Sequence, residues 1–186
     1  MQNIFFDTRI LDKKSREKFY LTEELMMENA AQELESCVMP HVFHESSRYI
    51  NRPCVLILAG RGNNGADGYV LARRLSCHDF CVAVCCIGEP SSEIAKVQKK
   101  RAELLGVSFI SPYDLDSFVE EKSFDISVVV DCVYGSGFHL PLDAESEAVI
   151  QSANKIEAFK VSCDVPSGLD SDGNGKIVFR AEYTSV

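Results

Sequence analysis

The sequence predicts an α/β fold, a doubly wound, mostly parallel sheet with helices on both faces. Two observations carry this. Short apolar runs rich in Val, Ile and Cys alternate along the chain with longer segments of helical period. Most of the runs are continuous rather than alternating in and out, which is the pattern of strands buried on both faces.

The first helix read from the period spans about Glu23 to Val38. Thr22 is its candidate cap, and Leu25, Met27, Ala31, Leu34 and Val38 form its apolar stripe. The predicted strands follow at Cys54–Ala59, Phe80–Ile87, Val107–Ile110, Ile126–Cys132, Phe159–Asp164 and Lys176–Phe179. Helices are expected between them, at Ala66–Ser76, Glu93–Leu105 and Ala144–Ile156. Ser92 and Asp143 are placed to cap the second and third of these, and Gly106 to end the second. Strand–helix–strand alternation with short connections gives a Rossmann-like three-layer sandwich. The 186 residues suit a single domain. The end at Tyr183-Thr184-Ser185-Val186 reads as unfinished, so the domain is expected to be truncated or excised from a longer chain.

Composition narrows the function. With 46% apolar and 25% charged residues the chain is ordinary for a globular protein. The net charge is -9 and no basic stripe gathers the cations, which argues against nucleic acid. Lys13, Lys14, Arg16 and Glu17 interrupt any leader-like run near Met1. No stretch approaches a bilayer span, so no membrane partner is expected and the cytosol is the expected compartment. Six of the eight cysteines (Cys54, Cys81, Cys85, Cys86, Cys132 and Cys163) fall in strand-like runs, where free Cys acts as a small apolar residue. Cys77, His78, Cys81 and Cys85 lack the paired spacing of a structural zinc site. His41, His44 and His78 read as surface or core fillers, and His139 as a weak site candidate.

Ligands of an open parallel sheet bind outside the carboxyl ends of its strands. Seven of the 11 glycines (Gly60, Gly62, Gly65, Gly68, Gly135, Gly137 and Gly168) fall in three turns that each follow a predicted strand. Each turn also holds an acid: Asp67 in the first, Asp131 and Asp164 at the strand ends of the others. The first contains G-x-G-x-x-G between a strand and a helix, the context of a dinucleotide turn. Glu89 then sits where a ribose-binding acid could lie, as in a nicotinamide-dependent oxidoreductase. Asn63, Asn64 and Asp67, however, add polar groups that such a turn does not need. A carboxylate ending a buried strand is costly unless paired, hydrogen-bonded or metal-bound, so Asp131 and Asp164 on one sheet edge point to a site.

Four blocks resemble one family, the YjeF N-terminal domains or NAD(P)H-hydrate epimerases. Leu25-Met26-Met27-Glu28-Asn29-Ala30-Ala31 resembles the family's L-M-E-N-A-G helix, with one extra Met. Gly62-Asn63-Asn64-Gly65-Ala66-Asp67-Gly68 resembles G-N-N-G-G-D-G, with Ala66 in place of a glycine. Val130-Asp131-Cys132-Val133-Tyr134-Gly135-Ser136-Gly137 and Cys163-Asp164-Val165-Pro166-Ser167-Gly168-Leu169 are similar to V-D-x-x-F-G-T-G and V-D-I-P-S-G-L. The resemblance implies epimerisation at C6 of hydrated NADH and NADPH, alongside an ATP- or ADP-dependent dehydratase that restores the cofactor. It implies substrate contacts from Asn63, Asn64, Gly65, Ala66, Asp67, Gly135, Ser136, Gly137, Phe138, His139, Leu140, Pro141 and Asp164. It further implies a potassium ion on Asn64, Asp131 and Ser167, phosphates at the mouth of the helix starting near Ala66, and a homodimer. Asp164 is the residue expected to move the proton. The alternative on the same fold is a non-catalytic module that binds a dinucleotide or a protein.

Overall fold

In the computed structural model, residues 9–42, 52–121 and 124–186 are described; His44 and the residues nearest Met1 lie outside them. The elements run α1 Arg9–Phe19, α2 Glu23–Val42, β1 Arg52–Ala59, α3 Asn63–Leu75, β2 Cys81–Cys86, α4 Glu93–Leu104 and β3 Ser108–Ile110. After a short 3₁₀ turn come α5 Leu115–Val119, β4 Phe124–Cys132, α6 Ala144–Lys155, β5 Phe159–Cys163 and β6 Tyr183–Ser185. The six strands form one sheet in the order β3-β2-β1-β4-β5-β6, and every pairing is parallel. The expected doubly wound sheet is therefore what the chain forms.

Alternation along β1 builds the three layers. Val55, Ile57 and Ala59 pack with α2, α3 and α4, whereas Cys54, Leu56 and Leu58 face α5 and α6. Residues i and i+2 of a strand share a face, so one continuous apolar run serves both layers. The helix ends follow their caps. Ser92 Oγ accepts from Ala95 N–H at 3.2 Å, Asp143 accepts from Ser146 N–H at 2.9 Å, and Thr22 Oγ1 accepts from Leu25 N–H at 3.2 Å. Gly106 closes α4 at φ +79°, a conformation open to glycine at little cost.

Three expectations are corrected. The last strand is Tyr183–Ser185 rather than Lys176–Phe179. Around Phe179 the backbone is satisfied off the ladder: Phe179 N–H bonds Ser167 O at 2.9 Å, and the Asn154 amide joins Val178 O and Arg180 N–H, both at 2.8 Å. Those bonds tie the segment to α6 and the turn after β5, so it does not extend the sheet. Helix α3 begins at Asn63, three residues earlier than expected, which puts Gly65 and Gly68 in its first turns rather than in a loop. Leu25 is exposed, because the buried stripe of α2 runs Met27, Ala31, Leu34, Val38 and Val42.

Candidate functional site

Strand order reverses between β1 and β4, and a cleft of about 810 Å³ opens there at the carboxyl ends of the strands. A doubly wound sheet parts its loops at such a switch point and leaves room for a ligand. The turns after β1, β4 and β5 all reach this cleft, through Gly60, Asn64, Asp67, Gly135 and Asp164 among others.

Under its floor lies a buried polar knot. Asp131 ends β4 with no solvent exposure. Its carboxylate accepts from Ser167 N–H and Ser167 Oγ, each at 2.7 Å, from Val133 N–H at 3.1 Å and from Ser162 Oγ at 3.3 Å. Burial pushes its pKa up to about 6, while the bonds from Ser167, Val133 and Ser162 pull the other way. Asp131 is thus paired by hydrogen bonds, not left bare as a strand-end carboxylate in apolar surroundings would be. Ser167 Oγ also accepts from Tyr134 N–H at 2.9 Å, so this hydroxyl ties the β4 turn to the β5 turn. Directly above, the Asn64 amide donates to Tyr134 O at 2.8 Å and to Cys163 O at 3.4 Å. Tyr134 O also lies 3.4 Å from Ser167 Oγ. Asn64 of α3, Asp131 of β4 and Ser167 after β5 are thus joined, the first to the other two through Tyr134.

Asp164 is placed differently. It lines the cleft, half-buried, with its backbone at φ +67°. Few non-glycine residues adopt that region, although Asp and Asn are enriched in it. Its N–H is held by Ser185 O at 2.7 Å, and its Oδ2 accepts from Ser136 N–H at 2.5 Å. Gly135 makes this approach feasible: a Cβ there would fall 2.5 Å from Asp164 Oδ2.

The remaining expected site residues divide. Asn63, Ser136, Gly137 and Phe138 line the cleft with those above, and Asn63 also bonds Glu23 of α2 at 3.1 Å. Gly65 and Ala66 are buried. The methyl that distinguishes Ala66 from glycine belongs to the apolar core, and Ala66 N–H is spent on Gly62 O at 3.1 Å. The free amides of the helix mouth are therefore those before Ala66. His139, Leu140 and Pro141 are exposed and Asp131 and Ser167 buried, and none of the five lines the cleft. Glu89 is also outside it, paired with Lys99 at 3.3 Å. Of the other histidines, His41 stacks on Phe159 and His78 meets Glu35 at 2.9 Å.

Some lining residues escaped the sequence reading. Asn29, Ala30 and Glu33 come from α2, and the first two stand inside the quoted helix motif. Only the fold shows that this helix walls the cleft. Tyr134 sends its hydroxyl to Asp143 at 2.7 Å and to Ser146 at 3.0 Å, so the α6 cap also joins the rim. No apolar helix among the described residues is long enough to cross a membrane.

Comparison with known proteins agrees with this geometry. A family model described as YjeF-related protein N-terminus matches residues 23–185. The chain is 35% identical over 185 residues to the bifunctional NAD(P)H-hydrate repair enzyme Nnr of Helicobacter pylori, covering 99% of this chain and 37% of that protein. It is 30% identical to an NAD(P)H-hydrate epimerase of Rhodopirellula baltica, covering 95% of this chain and 70% of the relative. The crystal structure of yeast ynu0, YNL200c, shares the fold with a TM-score of 0.83 at 19% identity, over 99% of this chain and 79% of that one. The chain spans little more than a third of the length of the bifunctional relatives it matches. With a match across most of its length and the four motifs meeting at one cleft, the chain belongs to the family of YjeF-related protein N-termini.

Proposed function

We propose that this chain interconverts the two C6 epimers of hydrated NADH and NADPH, as its relatives' names indicate for them. The observation that carries the reading is Asp164, a carboxylate on the cleft wall with one oxygen fixed by Ser136 N–H. The epimerising carbon bears a hydroxyl and the ring nitrogen. It inverts either by losing and regaining the hydroxyl or by opening the ring, and both routes need a group that gives and takes a proton beside that oxygen. Asp164 serves as that group, with Ser136 N–H orienting its carboxylate. The amides of Asn63, Asn64 and Gly65 at the start of α3 face the phosphates, which a helix mouth favours without net positive charge.

A potassium ion suits the oxygens that cluster at this junction: Tyr134 O and Cys163 O accept from the Asn64 amide, and Ser167 Oγ lies 3.4 Å from Tyr134 O. Asn64, Asp131 and Ser167 would hold it. Bound there, the ion would supply positive charge beneath the substrate. The same reading carries an ATP- or ADP-dependent dehydratase as functional partner, a homodimeric assembly and a cytosolic setting.

The test follows exchange between the two hydrated-NADH epimers by NMR, with and without protein and with and without potassium. The expected result is exchange accelerated by the protein. A folded protein that leaves the exchange rate unchanged would favour a non-catalytic binding module.

A further inference from the structure

Five charged side chains line the cleft: Glu33, Asp67, Asp143, Asp164 and Arg61. Arg61 is the one cation among these described lining residues, in a chain of net charge -9. A dinucleotide brings at least two negative charges into that acidic opening, so the place of the single guanidinium matters.

The backbone of Arg61 is held in that place. Its carbonyl accepts from both Ser91 N–H and Ser91 Oγ at 2.8 Å, which ties the β1 turn to the segment after β2. Its side chain then crosses Gly88, just beyond the end of β2. A Cβ on Gly88 would lie 2.1 Å from Nε and 2.8 Å from Cζ, so the bare glycine leaves room for the guanidinium in this pose. The nearest acid is Glu145, at 3.9 Å. This contact is loose, and the group is 61% exposed, so its donors remain available to a ligand.

The end of the second strand is where a switch-point nucleotide site reads the adenosine ribose. An acid there accepts from a free 2′-hydroxyl, and an arginine there accommodates a 2′-phosphate. In this chain the acid at that end, Glu89, points into solvent outside the cleft, 3.3 Å from Lys99, while the arginine lies across that end and lines the cleft. Resting on the epimerase reading above, we propose that Arg61 binds the 2′-phosphate of the substrate and makes hydrated NADPH the favoured epimer pair. Guanidinium suits this ligand through its forked donors.

Titration calorimetry with NADP⁺ and NAD⁺ as probes tests the assignment on the whole chain. The wild type is expected to bind NADP⁺ roughly tenfold or more tightly than NAD⁺, the scale of charge-assisted hydrogen bonds. Arg61→Ala brings the two to parity by weakening NADP⁺ alone, and Arg61→Lys retains part of the preference. Equal wild-type affinities overturn the proposal. So does an Arg61→Ala loss shared equally by both probes, which would place the guanidinium on the pyrophosphate. Epimer exchange separates this from the underlying reading. If neither hydrate is accelerated, the epimerase reading itself falls. If both are accelerated alike and Arg61→Ala leaves their ratio unchanged, only the Arg61 inference falls.

Discussion

The ends of β4 and β5 each carry an aspartate that closes a buried strand, and the two carboxylates sit in opposite conditions. Asp131 is fully buried and takes four hydrogen bonds. Asp164 lines the cleft, takes one hydrogen bond from Ser136 N–H, and sits on left-handed backbone. The difference follows from what crosses over each strand end. The β5 turn folds back so that Ser167 covers Asp131, whereas Asp164 stays half-buried on the cleft wall. A buried carboxylate that accepts four hydrogen bonds ties turns together and has no access to substrate. One that keeps an oxygen free at a cleft wall can exchange a proton.

Substitutions at the two positions should therefore separate activity from stability. Asp164→Asn removes the exchangeable proton while keeping a side chain that tolerates positive φ. Epimer exchange is expected to slow roughly a hundred- to ten-thousandfold, with the urea midpoint close to wild type. Normal turnover by this variant would remove Asp164 from the chemistry. Asp131→Ala should instead lower stability. It strands the donors of Ser167, Val133 and Ser162 in the interior, and unfolding in urea should show a loss on the order of 3 kcal/mol. A variant as stable as wild type would mean that the knot contributes little to the fold.

How much of this contrast the sequence conveyed depends on the kind of signal. The parallel sheet was legible because Val55–Ala59 and Val128–Val130 are uninterrupted apolar runs, and burial on both faces leaves that signature. Local caps at Ser92 and Asp143 were legible for the same reason, since cap and helix are neighbours in sequence. The start of α3 was not. Asn63, Asn64 and Gly65 are weak helix formers, and tertiary packing against the β4 turn overrides their propensity. Nor did periodicity or spacing pair Ser167 with Asp131, a contact spanning 36 residues; only the family resemblance, through a shared ion, implied that the two lie together. Pattern alone gave both acids the same reading, and burial then separated them. The segment around Phe179 misled because the short apolar run Ile177-Val178-Phe179 suits a strand, whereas Asn154 and Ser167 take its backbone bonds.

Gly135 probes the comparison from the catalytic side. The Cβ of Gly135→Ala would meet Asp164 Oδ2 at 2.5 Å and must push the carboxylate off Ser136 N–H. Displacing a reacting group by about 1 Å can cost roughly a hundredfold in rate. Exchange is expected to fall by up to that factor with little change in the urea midpoint, since Gly135 is not in the core. Unchanged exchange would show that the Ser136 contact does not set the position of the acid.

Ser167→Ala probes it from the scaffold side, where the smallest effect is expected. The hydroxyl donates to Asp131 and accepts from Tyr134 N–H, but Asp131 retains three other donors. Stability should therefore fall by only about 1–2 kcal/mol, less than for Asp131→Ala. The same variant separates the hydrogen-bond role from ion binding. A cation that binds the native state alone stabilises it in proportion to the logarithm of its concentration. The wild type should melt higher in potassium chloride than in tetramethylammonium chloride of equal ionic strength, and Ser167→Ala should lose most of that increment. If the increment survives, the ion does not rest on Ser167. If the wild type has none, the oxygens around Asn64 serve only to fix its amide, and both strand ends work without a metal.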